Sequence, residues 1–316
     1  MAQVSAETML RRILIANRGE IAIRIAKAAA GLGMESVAVY APVDALALHT
    51  RFASAALEIR RQGREEDSVS AYLDARALID AAKARQCDAI HPGYGFLAES
   101  AAFAELCAAE GLVFVGPPPR VLSLFGNKAR ARSFAQSLGI PVIPGSDGPI
   151  ASPEEALALA QELGYPVILK AAAGGGGRGM RLVSSEDALA EAFVRCTSEA
   201  IAAFADGSLI LEKVVSRPRH IEVQVLADRH GNVVHLHERD CSVQQRHQKV
   251  VEVAPAPGLD PALRERILAD ATRLAHEAGY VNAGTIEFLV SPETGEHYFI
   301  ECNPRIQVEH TITEQV

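Results

Sequence analysis

Cysteine pairs and long apolar runs are missing from this sequence. The 316 residues include five cysteines, an odd number, and no two of them are spaced as Cys-x-x-Cys. The pattern therefore predicts neither a disulfide framework nor a zinc site. No run approaches the roughly 18 apolar residues that a transmembrane helix needs, and residues 1–10 lack the apolar stretch of a signal peptide. Together these absences predict a cytoplasmic protein that does not cross a membrane.

Positive charge is scarce as well. The chain has 31 lysines and arginines against 39 acidic residues, which gives a formal net charge of -8. Proteins that bind nucleic acid or an anionic membrane surface need an extended positive potential, so we expect neither partner. The composition, 49% hydrophobic and 22% charged, is otherwise that of a globular protein long enough for two domains or more.

The first third of the chain alternates short apolar runs with helical patterns. The apolar runs lie at residues 13–16, 36–40, 89–90 and 112–115, and a helical pattern covers residues 20–31. This order is typical of a parallel α/β sheet. The first strand is followed by Asn17, Arg18 and Gly19, at the edge where such sheets bind ligands. Because this loop lacks the G-x-G-x-x-G fingerprint, we do not expect a dinucleotide there.

A second loop, residues 91–96 (HPGYGF), follows a later strand in the equivalent position. Its two glycines allow an unusual backbone path beside a ligand, although a plain strand-to-helix turn explains the pattern equally well. Further along, glycine and proline punctuate the chain, and we expect domain boundaries near residues 126 and 145. The β and α patterns that follow, up to about residue 214, predict a small lid-like domain.

Two acidic residues near the C-terminus lie in strand-like segments separated by the turn-like residues 291–296. If the segments pair as a hairpin centred near Thr294, Glu287 and Glu301 fall directly opposite each other, with Cβ atoms about 4.5–5.5 Å apart. Two such carboxylates repel each other unless a cation lies between them, and Mg²⁺ takes oxygen ligands of this kind. The pair therefore predicts a metal site, with Asn303 on the same face.

Polar residues continue at every second position beyond this acid pair. They are Glu301, Asn303, Arg305, Gln307 and Glu309, with apolar Ile306 and Val308 between them. A solvated strand face is the commoner explanation of such alternation, and Pro304 argues against one unbroken strand. The acid pair, the amide and the arginine, near phosphate-binding patterns upstream, favour a working surface instead.

A run of glycines, residues 174–179 (GGGGRG), lies between two strand-like segments and is predicted to form a hairpin tip. Glycine lets backbone N–H groups approach phosphate oxygens. The Walker A pattern is absent and no helix follows directly, so a flexible surface tip is an equal alternative. Lys170 ends the preceding strand, and it favours phosphate binding because its ammonium could reach a nucleotide.

A dense polar set follows the glycine run. Residues 211–215 end a strand where Glu212 and exposed backbone could meet the edge of an adenine. Further polar residues could together bind a polyanion, although a solvated loop explains each of them separately. These residues are His220, Glu222, Gln244, His247 and Lys249.

With these residues in view, the chain resembles the biotin carboxylase component of biotin-dependent carboxylases, within the ATP-grasp superfamily. The resemblance runs from about residue 12 to residue 316. Its strongest parts are residues 15–22 (IANRGEIA), 91–100 (HPGYGFLAES), 174–180 (GGGGRGM), 238–249 (ERDCSVQQRHQK) and 301–310 (ECNPRIQVEH). Motifs of this length in one order make a chance resemblance negligible.

The resemblance implies an α/β fold in two parts. An N-terminal parallel-sheet domain, the pre-ATP-grasp or Rossmann-like biotin carboxylase domain, would occupy residues 10–126. An ATP-grasp domain would occupy residues 127–316, with a small mobile lid at about residues 145–214. The family fold continues beyond residue 316, so its C-terminal part would be missing here, together with the arginine that stabilises the biotin enolate.

The resemblance also implies roles for individual residues. The ATP site would comprise Lys128, Lys170, Gly175, Gly176, Gly177, Glu212, Lys213, the backbone near Val215, His220, Gln244, His247, Glu287 and Glu301, with the glycine loop closing over the phosphates. Glu287, Glu301 and Asn303 match ligands of Mg²⁺ or Mn²⁺, and two ions are expected. The bicarbonate site would comprise Lys249, Arg305, Gln307, Val308 and Glu309. Of these, Lys249 and Arg305 would take part in catalysis and Glu309 would be the general base.

The implied reaction converts ATP, bicarbonate and carrier-bound biotin to carboxybiotin, ADP and phosphate through carboxyphosphate. It is the first half-reaction of a biotin-dependent carboxylase, which makes the chain a ligase. No Ala-Met-Lys-Met biotin attachment sequence occurs, so biotin must arrive on another domain or chain. Expected partners are therefore a biotin carboxyl carrier domain or protein, a carboxyltransferase domain or subunit, and a second copy of the chain in a homodimer.

Alternatives remain open at this point. A truncated nucleotide-binding module without full turnover would share the ATP and metal motifs. An ATP-grasp ligase with another acceptor would keep the nucleotide motifs but is expected to lack residues 305–310 (RIQVEH), which are present. The final carboxyl acceptor, an acyl-CoA, pyruvate or urea, is chosen by the carboxyltransferase and is not encoded in this module.

Overall fold

The computed structural model describes residues 10–60, 69–172, 179–204, 206–246 and 248–316. The strands are β1 (Arg12–Ile15), β2 (Glu35–Tyr40), β3 (Ala55–Glu58), β4 (Ala89–His91), β5 (Val113–Phe114), β6 (Val167–Ala171), β7 (Met180–Val183), β8 (Leu209–Lys213), β9 (Arg219–Ala227), β10 (Val233–Gln245), β11 (Gln248–Val253), β12 (Asn282–Val290) and β13 (His297–Asn303). The α-helices are α1 (Gly19–Gly31), α2 (His49–Phe52), α3 (Ala75–Ala84), α4 (Ala101–Ala109), α5 (Pro119–Phe125), α6 (Lys128–Ser137), α7 (Pro153–Leu163), α8 (Leu189–Phe204), α9 (Pro261–Glu277) and α10 (His310–Thr313). Short 3₁₀ helices lie at Pro42–Asp44, Val69–Leu73 and Glu186–Ala188.

Strands β1 to β5 form a parallel sheet in the order β3-β2-β1-β4-β5. This confirms the parallel α/β sheet that the alternating pattern predicts. In the central strand β1, Leu14 packs into the core on one face, while Ile15 packs against Ile21 and Ile25 of α1 on the other. Because the strand is covered on both faces, its sequence is a continuous apolar run rather than an alternating one.

The loops that follow β1 and β4 lie side by side at one edge of this sheet. Asn17 Nδ2 donates hydrogen bonds to the backbone oxygens of Pro92 at 2.6 Å and Tyr94 at 2.8 Å. Gly93 has a φ of +66°, and a Cβ on it would lie 2.9 Å from Asn17 Nδ2. Glycine is therefore needed there both for the backbone conformation and for the close approach.

A small three-stranded antiparallel sheet, in the order β7-β6-β8, follows with helices α7 and α8. Helix α7 starts at the N-cap residue Ser152, whose Oγ accepts from the backbone N–H of Glu155. The Glu155 carboxylate accepts from the backbone N–H of Ala151, the residue before the cap. Strands β6 and β7 pair as a hairpin, as expected, but residues 173–178 at its tip lie outside the described residues. The division into domains and the mobility of this lid stay predictions.

Strands β9 to β13 form a second, antiparallel five-stranded sheet in the order β11-β10-β9-β12-β13. On one face, Ile221, Val223 and Val225 of β9 join the hydrophobic core that includes helix α9. The intervening residues Glu222 and Gln224 are buried on the opposite face. Side chains alternate between faces along a strand, so β9 supplies both a hydrophobic core and a polar surface.

Strands β12 and β13 pair as the predicted hairpin, with Glu287 directly opposite Glu301. The register shifts by one residue next to this pair, because Phe288 lies opposite Phe299. The shift leaves Ile300 as the extra residue of a β-bulge. Without the bulge Glu287 would face Ile300, so the acid pair depends on an irregularity of the sheet.

The polar row does not continue as a strand beyond this hairpin. Strand β13 ends at Asn303, and an irregular segment leads from Pro304 to helix α10. Gln307 and Glu309 are only 4% and 7% exposed, so the solvated-strand alternative is wrong for these two residues. Across the described parts of the chain, no helix combines the length and the apolar character needed to span a bilayer.

Candidate functional site

A cavity of about 340 Å³ lies between the small sheet and the second five-stranded sheet. Seven residues of the predicted nucleotide and metal sites line it: Lys128, Lys170, Glu212, His220, Gln244, Glu287 and Glu301. The rest of the wall includes apolar side chains such as Ile210, Leu289 and Phe299. The cavity therefore combines an apolar wall with cationic and acidic groups, as a nucleotide with its metal requires.

Antiparallel pairing brings Lys170 and Glu212 together on the cavity side of the small sheet. Glu212 lies opposite Ile168, two residues from Lys170 on the same face of β6, and Lys170 Nζ forms an ion pair with the Glu212 carboxylate. Lys213 points elsewhere, because its Nζ donates to the backbone oxygens of Gly164 at 2.7 Å and Tyr165 at 3.2 Å. Its ammonium is not among the groups that line the cavity.

The other residues predicted to bind the nucleotide differ in where they lie. Lys128 is the first residue of α6, and its Nζ lies 3.0 Å from Glu301 Oε2. Val215 lies two residues beyond β8 and is not among the cavity-lining residues. Gly175, Gly176, Gly177 and His247 lie outside the described residues. The roles predicted for all of them stay predictions.

Glu287 is the centre of the buried polar cluster. Its carboxylate is contacted by His220 Nε2 at 2.7 Å, Lys249 Nζ at 3.0 Å, Asn303 Nδ2 at 2.8 Å and Gln307 Nε2 at 3.1 Å. Gln244 Nε2, a donor, lies 2.9 Å from the other ring nitrogen of His220. His220 therefore accepts from Gln244 at Nδ1 and donates from Nε2 to Glu287.

The charges in this cluster stabilise one another against burial. Burial opposes ionisation of Glu287, but the His220 hydrogen bond and the Lys249 charge outweigh it and hold the pKa of Glu287 well below its ordinary value. Burial likewise opposes the charged form of Lys249, and the carboxylates of Glu287 and Glu222 raise the pKa of Lys249 above its ordinary value. The pKa of His220 is raised because the Glu287 contact outweighs the effect of burial. Glu287 is therefore ionised and Lys249 protonated near neutral pH.

Three of the five predicted bicarbonate residues meet beside this cluster. Lys249 Nζ lies 3.3 Å from Glu309 Oε1 and also forms ion pairs with Glu222 and Glu287. Gln307 reaches the same carboxylate of Glu287. Arg305 is turned aside, since its Nε donates to Glu99 at 2.6 Å and its Nη2 to Asn303 Oδ1 at 3.2 Å. Val308 is 54% exposed.

The first sheet contacts the segment that carries these residues. Glu99, at the end of the HPGYGFLAES motif, pairs with Arg305, and Glu20, in the IANRGEIA motif, lies 3.0 Å from His310 Nε2. Ile306 packs against the core formed by α1. The two N-terminal motifs therefore contact residues 305–310.

The donor atoms fit a hard divalent cation. Glu287 and Glu301 present carboxylate oxygens from facing positions, and Asn303 adds an amide beside them. A second grouping, His220, Glu222 and Glu287, also holds its ligand atoms within 4.8 Å. We favour the pair of Glu287 and Glu301, because both of these residues line the cavity, whereas Glu222 is fully buried and its two oxygens are bound by Arg239 and Lys249.

Two residues of this region carry no role in the sequence-based assignment. Arg239 on β10 is 1% exposed and bonded to Glu222. Arg132 on α6 lines the cavity, and its buried Nε has no hydrogen-bond partner among the described residues. The sequence signal for Arg239 is its place in the charged run Glu238-Arg239-Asp240 of β10, within the quoted motif of residues 238–249. Arg132 lies one helical turn from Lys128.

Two family models match the chain. One is described as the N-terminal domain of biotin carboxylase and matches residues 9–122. The other is described as the ATP binding domain of the carbamoyl-phosphate synthase L chain and matches residues 127–316. Together they cover both of the five-stranded sheets and the small sheet between them.

Similar proteins and structures are of the same kind. Mitochondrial pyruvate carboxylase of Mus musculus is 52% identical over 307 residues, which are 97% of this chain and 26% of that protein. The chain thus spans about a quarter of the length of the curated relatives it matches. The structure of biotin carboxylase of Campylobacter jejuni, in a complex with β,γ-ATP, is 47% identical in sequence and superposes with a TM-score of 0.90. The match covers 98% of this chain and 68% of the Campylobacter chain.

A further solved structure is relevant to the cavity. The biotin carboxylase domain dimer of Hydrogenobacter thermophilus 2-oxoglutarate carboxylase, in complex with MgADP, ADP and bicarbonate, is 46% identical with a TM-score of 0.89. The match covers 98% of this chain and 67% of the Hydrogenobacter chain.

Proposed function

The chain belongs to the biotin carboxylase family, and we propose on that basis that it uses ATP and bicarbonate to carboxylate biotin on a carrier protein. This is the first half-reaction of a biotin-dependent carboxylase. One observation carries the proposal: residues of α6, of the small sheet, of β9 to β13 and of the segment after β13 converge on one cavity and on the buried cluster beside it. A relative that binds MgADP and bicarbonate supports it.

At the cavity, different residues bind the phosphates and the metal of a metal–nucleotide complex. Lys128 and Lys170 present ammonium groups to the phosphates, while Glu287 and Glu301 face each other as oxygen ligands for Mg²⁺ or Mn²⁺. When bound, the metal neutralises charge on the transferring phosphoryl group. Glu212, at the end of β8, is placed to meet the adenine edge from the small sheet.

At the buried cluster, Glu309 acts as the general base. It takes the proton of bicarbonate, and the resulting oxygen attacks the γ-phosphorus, so that the bond to ADP breaks and carboxyphosphate forms. Lys249 lies 3.3 Å from Glu309 and holds the anion. Carboxyphosphate then gives CO₂ and phosphate, the phosphate accepts the N1′ proton of biotin, and N1′ attacks CO₂. The site must exclude water because carboxyphosphate hydrolyses readily.

We propose the following partners. Biotin arrives on a carrier domain or protein, and the carboxyl group passes to a carboxyltransferase domain or subunit, because no biotin attachment sequence occurs in these 316 residues. A homodimer is supported by the dimeric biotin carboxylase domain among the relatives. The free cysteines support a cytoplasmic location, and the net charge of -8 argues against nucleic-acid and membrane partners.

A second candidate is a nucleotide-binding module without full turnover. It is favoured by the roles proposed above, because the residues of the cavity and of the buried cluster are assigned to the nucleotide, the metal and bicarbonate, and none of them is assigned to biotin. Both candidates predict MgATP binding at the same cavity. They differ in whether the second half of the chemistry, transfer to biotin, is completed.

ADP release by the purified chain separates the two candidates. Release would be measured with Mg²⁺, with and without bicarbonate, and with and without free biotin. The proposed function predicts release that needs bicarbonate and is stimulated by biotin. Release that needs bicarbonate but ignores biotin would favour the partial module, and release indifferent to bicarbonate would refute the proposed function.

A further inference from the structure

Arg239 is the most highly bonded buried side chain of the polar cluster, and it touches no predicted substrate. Its side chain is 1% exposed. Each of its five guanidinium N–H donors has an acceptor: Nε donates to Glu222 at 2.6 Å, Nη1 to Gln224 at 2.8 Å and Thr313 at 2.7 Å, and Nη2 to Thr285 and Gln307 at 3.1 Å.

The acceptors come from parts of the chain that are far apart in sequence. Glu222 and Gln224 lie on β9, Thr285 lies on β12, and Gln307 and Thr313 lie in the segment after β13. The contacts to Gln307 and Thr313 span 68 and 74 residues. Arg239 therefore ties the irregular segment that carries Glu309 to the rigid centre of the sheet.

The first route from Arg239 to the bicarbonate site runs through Glu222. One oxygen of this fully buried carboxylate accepts from Arg239 and the other pairs with Lys249. A carboxylate held by a guanidinium on one side has a fixed orientation on the other. The position of the Lys249 ammonium thus depends on Arg239 through one intermediate residue.

The second route runs through Gln307. Its Oε1 accepts from Arg239 Nη2, and its Nε2 donates to Glu287 Oε1 at 3.1 Å. The two ends of a glutamine amide are almost the same shape, so only its hydrogen-bond partners decide which end points where. Arg239, a pure donor, fixes the oxygen end toward itself and the N–H₂ end toward the substrate side.

We propose that Arg239 is a positioning residue of the bicarbonate site, acting on Lys249 through Glu222 and directly on Gln307. This assignment rests on the proposed function. It also separates the two substrates, because Arg239 contacts none of Lys128, Lys170, Glu212 and Glu301. It reaches Glu287 only through Gln307, and His220, Lys249 and Asn303 hold that carboxylate independently of Gln307. Loss of the guanidinium is therefore expected to weaken the use of bicarbonate and to spare the nucleotide.

The test compares Arg239→Lys with a matched control, Arg264→Lys. Arg264 pairs with the buried Glu238, which immediately precedes Arg239 on β10. Glu238 therefore lies on the opposite face of the sheet, away from the bicarbonate site. MgADP affinity would be measured by calorimetry, and the KM values for bicarbonate and ATP from ADP release. We expect Arg239→Lys to raise the bicarbonate KM about tenfold or more, with MgADP affinity and the ATP KM unchanged. The control should change neither.

Thr285→Val and Thr313→Val keep the test valid if Arg239→Lys does not fold. Each removes one acceptor of the guanidinium while leaving its charge pair with Glu222, and each is expected to raise only the bicarbonate KM, by about two- to fivefold. A parallel weakening of nucleotide and bicarbonate would mean a merely structural role and would overturn the assignment. So would variants that behave like the wild type.

These outcomes are distinguishable from failure of the proposed function. If the wild-type chain binds MgADP but releases ADP without regard to bicarbonate, the proposed function and the assignment fall together. If the wild type responds to bicarbonate and the Arg239 and threonine variants respond equally, only the assignment falls.

Discussion

The two ends of the candidate site are built in different ways. At the nucleotide end, Lys128 and Lys170 each pair with one carboxylate, and their side chains are 52% and 29% exposed. At the bicarbonate end, Lys249 is 15% exposed and contacts three carboxylates, of which Glu222 is fully buried. Exposed ion pairs are weak because water and salt screen them, whereas buried ones are strong only with complete hydrogen bonding.

The difference indicates how each substrate is recognised. A large ligand with several charges supplies its own binding energy, so the nucleotide end can consist of exposed lysines that rearrange around phosphates. Bicarbonate is small and offers few contacts, so its site must be arranged before it binds. The buried network of Glu222, Glu287 and Gln307 provides that arrangement.

Glu309→Gln is the strongest way to separate the two ends. An amide cannot take the proton of bicarbonate, and loss of a general base costs about 10²- to 10⁴-fold in rate. We expect bicarbonate-dependent ADP release to fall by that factor while MgADP affinity, measured by calorimetry, is retained. The exposed Glu265→Gln on α9 is the control. An unchanged rate in Glu309→Gln would exclude its role as the base.

Glu301→Gln tests the nucleotide end. The substitution removes one of two facing carboxylates and the partner of Lys128. We expect metal-dependent nucleotide affinity and turnover to fall together, by about tenfold or more, since a metal site needs its charged ligands. The measurement is a Mg²⁺ titration of MgADP binding, with Glu296→Gln in the same hairpin as the control. Normal Mg²⁺ dependence would remove Glu301 from the metal site.

Acid pH should reveal the buried end. The pKa of Glu287 is lowered because, against burial, the His220 hydrogen bond and Lys249 favour its ionised form. A carboxyl with a lowered folded-state pKa stabilises the protein above its unfolded pKa of about 4.3, and that stability is lost as pH falls through the folded-state pKa. The difference in Tm between the wild type and Glu287→Gln should thus shrink as the pH falls below about 4. Because the raised pKa of His220 also depends on Glu287, the difference should decline again as the pH rises through that pKa.

A matched comparison sharpens this test. Glu265→Gln removes an exposed carboxyl on α9, and its Tm difference from the wild type should show no comparable loss in acid. Thermal unfolding followed by circular dichroism across the pH range measures both variants. A Tm difference for Glu287→Gln that is independent of pH would contradict the charge assignment of Glu287.

Glu99→Gln should have the smallest effect. The ion pair of Glu99 with Arg305 is part-exposed, at 43% and 21%, and such pairs contribute about 0–1 kcal/mol. We expect the bicarbonate KM to change by about two- to fivefold, and the change to diminish at high salt. A loss of activity as large as that of Glu309→Gln would show that the first sheet does more than hold residues 305–310.

The sequence predicts those features that depend on local pattern. Period-two alternation and a short turn predict the hairpin of β12 and β13, and apolar runs predict the parallel sheet of β1 to β5. The bulge at Ile300 was not predictable, because one extra residue leaves no mark on an alternating pattern. The prediction that Glu287 lies opposite Glu301 is correct, but it was made for a regular hairpin centred near Thr294 and did not include the bulge.

Features that depend on contacts between distant segments could not be predicted in the same way. Nothing local to Arg239 indicates that its partners include Gln307 and Thr313. The same holds for Lys213. Its position on β8 favours a role in nucleotide binding, but its ammonium donates hydrogen bonds to the backbone oxygens of Gly164 and Tyr165. Such contacts follow from how sheets and helices pack, which residue type and spacing alone do not determine.

Nucleotide and bicarbonate are thus proposed to bind at two adjoining ends of one site, which share Glu287 but otherwise consist of different residues. A crystal structure of the chain with MgADP and bicarbonate tests it most directly. We expect the phosphates at Lys128 and Lys170, the metal between Glu287 and Glu301, and bicarbonate among Lys249, Gln307 and Glu309. Nucleotide bound outside the cavity, or bicarbonate bound away from Lys249 and Glu309, would contradict it.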